Sequence, residues 1–71
     1  MDVESHISGT VWKVEVAVGD EVAEGDSIII LESMKMEVPV ESPVAGRVTE
    51  VRCQKGDSVL EDQVVATVEA G

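Results

Sequence analysis

Shifted by 37 positions, the sequence matches itself without a gap. Residues 3–33, "VESHISGTVWKVEVAVGDEVAEGDSIIILES", lie over residues 40–70, "VESPVAGRVTEVRCQKGDSVLEDQVVATVEA". Eleven of the 31 aligned positions are identical: Val3/Val40, Glu4/Glu41, Ser5/Ser42, Gly9/Gly46, Val11/Val48, Val14/Val51, Gly19/Gly56, Asp20/Asp57, Val22/Val59, Glu24/Glu61 and Glu32/Glu69. Ile7/Val44, Val16/Cys53, Ile28/Val65 and Leu31/Val68 exchange one apolar side chain for another. A period of this length often marks a solenoid, but two copies are too few to stack into one. The duplication points instead to one closed domain over residues 1–71. A pseudo-two-fold axis then relates its halves, and each half supplies half of the core.

The apolar residues say what each half is made of. A chain of 71 residues buries only roughly 60% of its unfolded surface, so its core must be regular. With one Trp and no Phe or Tyr, that core falls to Val, Ile and Leu. β-Branched side chains suit a pleated sheet. Val14, Val16 and Val18 alternate with Lys13, Glu15 and Ala17, the period of a half-buried strand. From Val11 to Val14 the apolar step is three, and Val48 to Val51 repeats it. A bulge at 12–13 and 49–50 keeps these side chains inward. Gly19-Asp20, Gly25-Asp26 and Gly56-Asp57 are turn signals.

The resulting strands are 3–7, 10–16, 21–23 and 27–32 in the first unit, and 40–44, 47–53, 58–60 and 64–69 in the second. Residues 36–41 run continuously into the second unit. Pro39 and Pro43 fall there, which calls for an edge strand or a bulge. No segment has a helical stripe. Eight short strands in so small a domain predict an all-β fold: a flattened barrel or sandwich of two four-stranded sheets. The expected core is Val14, Val16, Val22, Ile28, Leu31, Val51, Cys53, Val59, Val65 and Val68.

The segment between the copies holds "ESMKM", residues 32–36. Strand 27–33 must fold back on strand 36–41, which makes Met34-Lys35 the tip of a hairpin. Two-residue tips favour Asn-Gly, Asp-Gly or a Gly. The chain uses turn glycines freely elsewhere and not here. A local rule broken at one tip marks a candidate functional site. Met34 and Met36 would stand as apolar thioethers on either side of an amine, open to the grip of an enzyme. The symmetry mate of this hairpin is the place where the two termini meet.

The motif resembles the E-A-M-K-M sequence of biotin carboxyl carrier domains, with Ser33 where Ala is usual. "GDEVAEGD" and "GDSVLEDQ" are similar to the G-D-x-V-x-x-G-Q spacing that brackets the motif in that family. The likeness covers nearly the whole chain, and "LESMKMEVPV" is similar to small stand-alone biotin/lipoyl attachment proteins. It implies the biotinyl/lipoyl domain fold, with Lys35 as the covalent biotin attachment point. It implies a biotin protein ligase that recognises Glu32, Met34 and Met36. It further implies a non-catalytic carrier, an accessory subunit that shuttles carboxylate between biotin carboxylase and carboxyltransferase. A lipoyl carrier is the alternative, but lipoyl domains usually place an acidic residue beside the Lys. An unmodified β interaction module is the third reading.

Charge and composition narrow the remaining classes. The net charge of −10 argues against nucleic acid, which requires basic patches, and against anionic membrane surfaces. The longest apolar run, Ile28 to Leu31, is too short to span a bilayer. Cys53 is the only cysteine, so no internal disulfide can form, and a reducing cytoplasm is the simplest compartment. The resemblance implies a monomer when the chain is isolated. One histidine, His6 in a strand, makes no metal site. Trp12 is expected half-exposed at the first bulge. Glu32 matches Glu69 in the repeat, which gives it a strand-end role besides its place three residues before Lys35.

Overall fold

The computed structural model describes residues 1–70. Eight strands form in chain order: β1 (Asp2–Glu4), β2 (Gly9–Val14), β3 (Glu21–Val22), β4 (Ser27–Ser33), β5 (Met36–Glu41), β6 (Gly46–Val51), β7 (Ser58–Val59) and β8 (Val64–Ala70). They make two antiparallel four-stranded sheets, ordered β1-β8-β6-β3 and β5-β4-β2-β7. Adding 37 to the numbering of β2, β3 and β4 gives β6, β7 and β8, and β1 falls on the end of β5. Each sheet is therefore the other under the repeat. The short strands cross over: β3 joins β6 of the second unit, and β7 joins β2 of the first. The two halves interlock rather than sit side by side.

Both expected bulges are present. The β2–β4 register shifts between Val11 and Lys13, and the β6–β8 register between Val48 and Glu50. A second matched pair of bulges was not legible in the apolar pattern. It skips Ile28 in the β4–β5 ladder and Val65 in the β1–β8 ladder. An extra residue at each point lets two successive side chains face inward. Ile28 and Ile29, like Val65 and Ala66, are all fully buried.

Seven of the expected core residues are buried: Val22, Ile28, Leu31, Cys53, Val59, Val65 and Val68. Val14, Val16 and Val51 are corrections. They are only partly buried and pack against the cluster from its margin, because they lie at or beyond the ends of β2 and β6. Val3, Val11, Ile29, Val40, Val48 and Ala66 complete the centre.

Four of the longer strands, β1, β2, β5 and β6, end two or three residues earlier than alternation predicts, and β3 and β7 each end one residue early. β1 stops at Glu4 and β5 at Glu41, because Ser5 and Ser42 turn the chain. Each serine hydroxyl donates to the carbonyl two residues on, Ile7 and Val44. Both are buried polar residues, and their backbones are also paired. Ser5 N–H donates to Gln63 C=O at 2.9 Å, and Ser42 N–H to Asp26 C=O at 2.8 Å. His6 consequently sits in an exposed bend and not in a strand. β2 likewise ends at Val14 rather than residue 16, and β6 at Val51 rather than residue 53. Pro39 lies within β5, an edge strand, where its missing N–H costs no ladder bond.

Candidate functional site

β4 and β5 pair without irregularity toward their shared end: Leu31 opposite Val38, Glu32 opposite Glu37, Ser33 opposite Met36. That register leaves Met34 and Lys35 as a two-residue tip. Both have positive φ, 52° and 65°. Positive φ at both central residues is the signature of a type I′ turn, whose twist matches that of the flanking strands. The conformation suits glycine; in an L-residue the Cβ crowds the following carbonyl, at roughly 1–2 kcal/mol each. The hairpin thus holds two strained residues at its apex, kept there by a six-pair ladder and a buried β4.

The side chains at the apex face solvent. Met34 is 92% and Met36 66% exposed, and Lys35 is exposed between them. No ion pair involves Lys35 among the described residues. The other amines differ. Lys13 pairs with Glu15 at 3.6 Å, and the terminal amine donates to the Val68 carbonyl at 2.7 Å. Lys55 is exposed, but it stands in the 54–57 turn, where Gly56 carries the positive φ. Lys35 is the lysine placed on a strained apex between two apolar flanks.

Glu32 is exposed on the outer face of β4, one ladder step below the tip. The structure adds Glu37, directly opposite it on β5 and also exposed. Like charges facing each other across a ladder are destabilising. This pairing follows from the two-residue tip, which fixes the register, and could have been found by counting outward from Lys35. Gly9 is a second addition. It begins β2, beside β4, and a Cβ there would stand 2.8 Å from the Glu32 carbonyl oxygen. Only a glycine lets β2 approach the strand that carries the tip.

The remaining candidates lie apart. Trp12 sits at the first bulge, 43% exposed. A hollow of about 470 Å³ is lined by Glu21, Val22, Gly46, Arg47 and Glu69 in the other sheet. It contains none of the tip residues. Cys53 is buried, and burial, then the nearby Asp57 charge, pushes its thiol pKa up. Among the described residues no three His, Cys, Asp or Glu side chains gather as a metal site, and no helix is long and apolar enough to cross a membrane.

The biotin/lipoyl family model, described as "Biotin-requiring enzyme", matches residues 1–70. The chain belongs to the biotin/lipoyl attachment family. It is 43% identical over 65 residues to the biotin/lipoyl attachment protein of Bacillus subtilis, covering 92% of this chain and 89% of that one. It is 40% identical over 67 residues to the biotinylated protein TB7.3 homolog of Mycobacterium leprae, covering 94% of each. Among solved structures, the urea carboxylase of Kluyveromyces lactis superposes with a TM-score of 0.92 at 36% identity. That match covers 97% of this chain and 6% of the carboxylase. The pseudo-symmetric pair of four-stranded sheets is thus the biotin/lipoyl attachment fold, shared with a segment of that carboxylase.

Proposed function

We propose that Lys35 is the covalent attachment point for biotin and that the chain is a biotin carrier of a carboxylase system. The observation that carries this reading is the apex: an exposed Lys35 in a left-handed two-residue turn, between exposed Met34 and Met36, in a member of this family. The Lys35 amine attacks the acyl carbon of biotinyl-adenylate on a biotin protein ligase. An amide bond forms, AMP leaves, and the amine loses a proton. Met34 and Met36 give the ligase two apolar contacts, and Glu32 a charged one. The strained backbone holds all of them in one arrangement before the ligase arrives, which reduces the ordering cost of binding.

Once bound, biotin supplies the ring nitrogen on which a carboxyl group is carried. The chain's own contribution is position. It presents the modified side chain beyond the sheet edge and leaves both faces of the tip clear for biotin carboxylase and then carboxyltransferase. Tethering raises the effective concentration of the carried group at both active sites. The domain performs no bond chemistry itself and works as a monomer when isolated.

Incubation with ligase, ATP and biotin, followed by intact mass and peptide mapping, tests the reading. One biotin on Lys35 is expected, and none on Lys35→Arg, which keeps the charge but removes the acceptor. In the double variant Met34→Lys, Lys35→Met, which moves the amine one position, most labelling should be lost. Biotin on Lys13 or Lys55, or a lipoyl mass on native protein, would overturn it.

A further inference from the structure

Two of the three methionines flank Lys35, at 92% and 66% exposure. Neither is buried in the core, so packing does not explain the choice of sulfur. Leucine would present a similar apolar surface with nothing to oxidise. The only thiol competes poorly, since Cys53 is 3% exposed and its raised pKa keeps it from the thiolate form that peroxides attack. Met1, 63% exposed and paired with Val68 in the other sheet, is a third thioether remote in register from the apex.

We propose that Met34 and Met36 form a reversible oxidation site that switches off acylation of Lys35. This rests on the reading of Lys35 as the biotin attachment point. The oxidant is a peroxide. A sulfur lone pair attacks one peroxide oxygen, the O–O bond breaks and an S–O bond forms. The proton on the transferred oxygen moves to the departing oxygen, which leaves as water, or as an alcohol from an organic hydroperoxide. Sulfur loses two electrons and the peroxide gains them. The product is a polar, chiral sulfoxide where the ligase expects an apolar thioether, and sulfoxide reductases restore it, one enzyme for each epimer. A ligase surface shaped for a thioether has no donor for the new oxygen. Burying an unpaired acceptor corresponds to a loss of roughly ten-fold or more in binding. No strand is broken by the change, because both side chains already stand in solvent.

The test is the initial rate of biotin incorporation at Lys35 before and after graded hydrogen peroxide, with oxidation at each methionine read by peptide mapping. The expected result is a fall of about ten-fold or more that tracks sulfoxide at residues 34 and 36, with recovery after both reductases. Circular dichroism should stay unchanged throughout. The Met34→Leu/Met36→Leu variant retains only Met1 as a thioether. Whatever its starting rate, the ratio of treated to untreated rates should stay near one. Undiminished labelling of protein that carries both sulfoxides, or an equal fall in the double-Leu variant, overturns the switch and leaves the attachment reading intact. Failure of untreated protein to accept biotin at Lys35 overturns both.

Discussion

Met34 and Lys35 share a backbone conformation that neither side chain favours, and one of them can be relieved without removing the amine. Met34→Gly removes roughly 1–2 kcal/mol of left-handed strain and adds roughly 0.5–1 kcal/mol of unfolded-chain entropy. The expected outcome in urea denaturation is a net gain of about 0.5–1 kcal/mol, together with slower biotinylation. A gain in stability with loss of modification would mark the strain as part of the site. Asp62 makes a useful contrast. It stands at φ 69° where the first unit has Gly25 at φ 90°. Asp tolerates that region better than Met, so Asp62→Gly should gain less.

Cys53 bears on pH at the same scale. Burial raises its folded pKa above the ordinary value of 9.0, so in alkali the folded state holds a proton that the unfolded state releases. Its contribution is therefore complete below pH 9.0 and declines as pH rises toward the folded pKa. Cys53→Val, the residue type at matched position 16, should flatten the decline in urea midpoint measured from pH 8 to 10, roughly the range around the thiol's titration.

At the scale of elements, the two glycines that open β2 and β6 decide how closely paired strands can lie. A Cβ on Gly46 would come within 2.1 Å of the Glu69 carbonyl oxygen, against 2.8 Å from Gly9 to Glu32. Both obstacles are backbone atoms, so a strand must shift. Gly46→Ala is expected to cost about 2–3 kcal/mol, and Gly9→Ala about 1–2, by thermal or urea melts. The milder change should have the larger effect on biotinylation, because Gly9 lies against β4, just below the tip. Equal losses of labelling per kcal/mol in the two variants would mean that only global stability matters.

For the whole molecule, the net charge of −10 is an unfavourable term that salt can tune. Fifteen acids face five cations. The ion pairs among described residues are Lys13–Glu15 at 3.6 Å and Arg52–Glu50 at 3.1 Å. Each lies within one strand or its end, is exposed, and offsets little of the long-range repulsion. The longest dimension is 35 Å. At about 0.01 M salt the screening length is roughly 30 Å, so acids repel across nearly the whole fold; at about 0.15 M it is roughly 8 Å. Adding sodium chloride over that range should raise the melting temperature by several degrees, since about 1 kcal/mol moves a domain of this size by roughly 4–8 °C. A flat or falling melting temperature would show that local pairing outweighs the net charge.

The duplicated sequence by itself determined the strand count, the two matched bulges at residues 12–13 and 49–50, and the hairpin that carries Lys35. Each of these is a local or self-referential property: alternation sets a strand, a three-residue apolar step sets a bulge, and the unrepeated segment sets the tip. Only the tertiary structure decided that β3 and β7 exchange between the halves, since strands of two residues carry too little pattern to choose a partner. It also decided which valines reach the centre. Val14, Val16 and Val51 alternate as well as any, but closure of the two sheets leaves their ends at the margin and draws Val3 and Val40 inward from the edge strands. The left-handed strain at Met34 and Lys35 belongs to both levels. The sequence showed that residues unsuited to a tight turn stand at the tip, and the paired β4–β5 ladder, anchored in the core by Ile28, Ile29 and Leu31, holds them in it.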